Sequence, residues 1–181
     1  MPAAIVAVIT LQSLLCATFL ILPITVWRTG TAAQRAAETE IVRQGHAPTV
    51  LDAHGIRFEE KGWEFVLALA IAAILAGLVG FELGASPAAR VTAWVVSTLV
   101  LLGVGAVTAS QVFARRYTEA AFRGSADPAV RTIDARALLA AASSGFPRWV
   151  RAMVLFRFVL ATFGSLAVII ALATPAASAY F

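Results

Sequence analysis

Residues 63–113 read WEFVLALAIAAILAGLVGFELGASPAARVTAWVVSTLVLLGVGAVTASQVF, and this stretch decides the fold. Two apolar runs, 63–84 and 91–113, flank a short turn at 85–90 that holds Ser and Pro. An α-helix rises 1.5 Å per residue, so a hydrocarbon layer of about 30 Å needs about 20 mainly apolar residues to cross it. Each run meets that length. The stretch therefore predicts two membrane-spanning helices joined by a tight hairpin turn.

Working outward, the same criterion finds a span at 3–27 on one side and another at 149–173 on the other. The first run has no Lys or Arg before Arg28 and is about 24 residues long, whereas a signal peptide wants a basic start and an apolar stretch of about 7–15 residues. It is expected to be an uncleaved anchor. The composition agrees with four spans: 60% of the 181 residues are apolar, 13% are charged, and mean hydropathy is +0.86. Soluble domains carry nearer a quarter charged residues, and a chain this short has little interior in which to hide so much apolar surface. A soluble enzyme, a disordered tail and a disulfide-stapled domain are excluded. The expectation is an all-α integral membrane four-helix bundle, one membrane domain over 1–181.

Charge placement orients it. Twelve of the fourteen Lys and Arg residues lie in or beside the two long loops, 28–62 and 114–148. Loops rich in Lys and Arg stay cytoplasmic, so both termini are expected outside, as in a multi-pass protein of a bacterial cell (inner) membrane. The net charge of +4 follows this topology and does not call for nucleic acid as a partner; the expected partners are the lipid bilayer and a homo-oligomer or larger membrane complex.

Both loops are expected to hold helix. Residues 31–44 are rich in Ala, Gln, Glu and Arg and end at Gly45, which predicts that the first span continues as a helix. Residues 49–58 place β-formers around His54-Gly55, a pattern for a short hairpin or an irregular loop. Residues 115–122 extend the third span. Asp127-Pro128 offers an acidic cap with Pro at the first helical position, so an amphipathic helix is expected from there to Gly145.

Few residues are equipped for chemistry. Cys16 is the single cysteine, so neither an intramolecular disulfide nor a CxxC pair exists. Phosphate-loop, nucleophile-elbow and dinucleotide motifs are missing. His46, Asp52, His54, Glu59 and Glu60 share one loop without metal-ligand spacing, and with no histidine in any span a bis-histidine haem is excluded. No metal, cofactor or catalytic residue is expected.

The candidate intramembrane polar site comprises Arg157, Glu64 and Gln12. An Arg in a span costs about 2.5–3.5 kcal/mol, and twelve Leu, Ile, Val and Phe residues between Val154 and Leu172 return about 4–7 kcal/mol, so the span still inserts. Arg157 then snorkels, pairs with Glu64, or contacts a substrate or ion. Gln12, with Thr10, Ser13, Cys16 and Pro23, makes the first span the most polar, suited to interhelical hydrogen bonds or to a ligand. Glu82, about 27 Å along the helix from Glu64, is expected at the outer face near Arg90. Ala68, Ala72, Ala76, Gly80 and Gly84 recur every four residues, a helix-packing face for a neighbouring span or a partner. The leading functional expectation is a non-enzymatic accessory or scaffold subunit. The alternatives are a small oligomeric transporter or channel using Gln12, Glu64 and Arg157, and a membrane enzyme acting on a lipid- or quinone-like molecule.

Overall fold

The computed structural model describes the backbone of residues 1–181 and every side chain except that of Pro87. It is all-helical. Helix α1 runs unbroken from Ala3 to Arg43, α2 covers Thr49–Ala53 and α3 covers Gly62–Leu83. The third span is α4 (Pro87–Leu99), a wide π-helical turn at Val100–Val104, and α5 (Gly105–Val112). Helices α6 (Ala114–Arg123) and α7 (Ala135–Ser144) follow, with a 3-10 turn at Val130–Thr132 between them. The fourth span is α8 (Val150–Val159), a second π turn at Leu160–Gly164, and α9 (Ser165–Leu172); α10 (Pro175–Tyr180) ends the chain. Four of these helical stretches are long and apolar enough to cross a membrane.

The residues group into two compact units. The first unit holds 1–21, 66–112 and 152–181. Here α1 buries Ile5, Val8, Gln12, Leu15 and Phe19, alternating steps of three and four that trace one seam down the helix. Leu15 and Phe19 pack with Ala72 and Leu75 of α3, Val100 of the third span and Leu160 of the fourth. Towards the N-terminus of α1, Ile5 and Val8 join Leu78, Ala93, Val168 and Leu172. The two π turns lie against each other. Thr108 donates to the Val104 carbonyl at 2.8 Å and Thr162 to the Phe158 carbonyl at 2.7 Å. Hydroxyls thus supply extra donors around each widened turn, in a region where lipid offers no hydrogen bonds.

The second unit holds 22–65 and 113–151, with a core of its own built from Ala37, Ile41, Leu51, Phe122, Val130, Ile133 and Leu138. The continuation of α1 past residue 31 is as expected, and Gly45 ends it at φ +84°, the left-handed conformation that glycine adopts freely. Two expectations need correction. Residues 49–53 form the short helix α2, not a hairpin, because Pro48 opens a helical turn and Leu51 is drawn into the core. Asp127 does not cap a long helix. Its Oδ1 accepts only from the Ala129 amide at 2.9 Å, the backbone turns extended at Ile133, and Asp134 is the residue that caps α7, accepting from the amides of Arg136 and Ala137. Where α7 ends, Gly145 abuts the backbone of Ala33 so closely that a Cβ would overlap it.

Candidate functional site

In the first unit two polar pairs interrupt an otherwise apolar bundle. Gln12 occupies one position of the buried α1 seam and is 3% exposed. Glu82, on the last turn of α3, is 0% exposed. The Gln12 amide and the Glu82 carboxyl are near neighbours that do not meet in ordinary hydrogen-bond geometry. Both Glu82 oxygens and both polar atoms of the Gln12 amide are buried without a protein hydrogen bond. The Tyr180 hydroxyl of α10 reaches only the Glu82 main-chain carbonyl, at 3.3 Å.

Glu82 is thus not a solvated carboxylate at a helix end, and Arg90 does not serve it. The Arg90 Nε donates to the Leu172 carbonyl at 3.0 Å, placing its charge on the C-terminal end of α9, where a cation is favoured. The burial of Glu82 follows from the phase of α3. Ala68, Ala72, Leu75 and Leu78 face inward, and Glu82 falls on the same side. The span is apolar all round, so its sequence carries no amphipathic signal to reveal that phase.

The second pair is Arg157 and Gln111. Arg157 is 9% exposed; its Nη2 donates to Gln111 Oε1 of α5 at 2.6 Å, and its guanidinium carbon lies 5.4 Å from the centroid of the Phe19 ring. The buried guanidinium is therefore held by an aromatic face and by the amide oxygen of Gln111, itself an exposed residue. Gln111 and Phe19 went unremarked in the sequence. The only cue to them is that Gln111 is an amide within an apolar run.

Glu64 has different partners. In the second unit its two oxygens accept from Arg57 Nη2 at 2.9 and 3.0 Å, and Oε2 also accepts from the Lys61 amide at 2.8 Å. It caps the start of α3, where a carboxylate is favoured by the helix dipole. Of the three residues expected to share a polar site, Gln12 and Arg157 lie in the bundle with separate partners, and Glu64 serves its own loop.

The small-residue face divides. Ala72 is buried against Leu15 and Phe19, whereas Ala76, Gly80 and Gly84 are exposed. Steps of four residues rotate about 40° per step around a helix of 3.6 residues per turn, so the stripe winds from the inside of α3 to its outside. A Cβ built at Gly77 or Gly80 meets nothing within 4 Å.

Among the described residues no group of three or more His, Cys, Asp or Glu side chains converges. No family model, curated protein or solved structure matches the chain. Four long apolar helices make it a small membrane protein.

Proposed function

We propose that the chain is a non-enzymatic accessory subunit of a larger membrane complex, seated in a bacterial inner membrane and docked through the outer side of α3. The observation that carries this reading is the exposed run of Ala76, Gly77 and Gly80. In lipid no hydrophobic force drives helices together, so association depends on close backbone approach over small residues, and such a strip is what a neighbouring helix would use. The helical second unit, folded around a core of its own, supports a scaffolding role.

The test is native purification from gently solubilised membranes, followed by mass spectrometry. The wild-type chain is expected to co-migrate with larger subunits. Gly80→Leu is expected to migrate alone while keeping its own thermal midpoint, because a Cβ at this exposed position meets no atom of this chain within 4 Å. Recovery of the wild type as a stable monomer would overturn the reading.

A further inference from the structure

We propose that Glu82 and Gln12 form a buried binding site for a small monovalent metal cation of sodium size. Three oxygens, the two of the Glu82 carboxylate and Oε1 of Gln12, are buried without a hydrogen bond, against a single amide nitrogen that can donate. The set is rich in acceptors and carries one negative charge. A carboxylate taken out of water is costly unless a positive charge or full hydrogen bonding compensates it. Arg90, in the first turn of α4, directs its Nε–H to the Leu172 carbonyl and forms no ion pair with Glu82.

Position adds to the chemistry. Glu82 lies on the last turn of α3, at the negative end of the helix dipole, which favours a cation. Below it in the core, Leu78 packs with Ile5, Val8 and Leu172, which keeps water out and leaves the carboxylate to its own partners. The valence follows from the charge count. One carboxylate balances one unit of positive charge, whereas Ca2+ and Mg2+ take six or more ligands and usually several carboxylates or retained waters. Oxygen ligands without thiolate or imidazole suit an alkali cation over a transition metal. The sequence carries no metal-ligand motif for this site, because it pairs one acid with an amide from a different helix.

The test uses the full chain in lipid nanodiscs at constant ionic strength, with sodium chloride exchanged for choline chloride. The thermal midpoint is expected to rise saturably with sodium, and equilibrium binding of radioactive sodium is expected to approach one ion per chain. Glu82→Gln is expected to abolish both effects. Gln12→Leu, which keeps the carboxylate, is expected to weaken sodium binding by about tenfold or more, as loss of a supporting group commonly does. Should Glu82→Gln fail to fold, Gln12→Leu and the wild-type binding isotherm decide alone. Equal midpoints in sodium and choline, or sodium binding that survives Glu82→Gln, would overturn the proposal. Sodium independence with Glu82→Gln at least as stable as wild type would instead identify a neutral acid–amide pair, and would overturn it equally.

Discussion

Arg157 illustrates how a residue's chemistry can be plain from sequence while its partner is not. A guanidinium within an apolar run demands a hydrogen-bond acceptor, and that much follows from the cost of burying charge. The acceptor, Gln111, is 46 residues away and was brought near by the packing of two spans. Gln111→Leu removes a charge-assisted hydrogen bond and is expected to destabilise the bundle by about 1.5–3 kcal/mol, read from unfolding in mixed micelles. An unchanged midpoint would mean that other contacts hold the guanidinium. Glu119 makes the corresponding point in polar surroundings. The Arg115 guanidinium hydrogen-bonded to it at 2.6 Å, with Arg123 at 2.8 Å, holds its carboxyl below the ordinary value of 4.5. The folded state thus favours the carboxylate. Its contribution is complete above pH 4.5 and fades as pH falls through the depressed value. Carbon-detected NMR titration is expected to place Glu119 below 4.5 in the wild type and to move it back up in Arg115→Gln.

Elements were legible wherever their ends carry chemistry of their own. Four helical stretches, Ala3–Arg43, Gly62–Leu83, Ala88–Val112 and Val150–Leu172, are long and apolar enough to cross a membrane, and α1 stops at Gly45 as its φ of +84° requires. Gly45→Ala is expected to cost about 1–2 kcal/mol through backbone strain alone. Gly145 is a different case, since its φ is ordinary and only a neighbour limits it. Its α-carbon lies against the backbone of Ala33, so Gly145→Ala must push α1 and the end of α7 apart. Overpacking of that kind costs about 1–3 kcal/mol, and chemical denaturation of the purified chain is expected to show it. Gly77→Ala, with nothing near its Cβ, is expected to be neutral or slightly stabilising in the same assay. No sequence rule separates Gly145 from Gly77, because the difference lies in which backbone passes by. The two π turns were equally hidden: VLLGV and LATFG have no composition that sets them apart from α-helix.

At the scale of the whole molecule, the distribution of Lys and Arg predicts both termini outside. In a Cys16→Ala background, a cysteine at Ser178 is expected to react with a membrane-impermeant maleimide in intact cells. One at Ser125 is expected to react only after permeabilisation; the reverse pattern would invert the topology. The sequence by itself determined the number of apolar helices long enough to span and the placement of charge along the chain, because each depends on local composition measured against the thickness and low dielectric of a bilayer. Tertiary structure alone decided the inward face of each apolar span. A helix that is apolar all round is equally content in lipid at every rotation, so packing chooses the phase. That choice buried Glu82 beside Gln12, gave Arg157 to Gln111, and turned Gly80 outward.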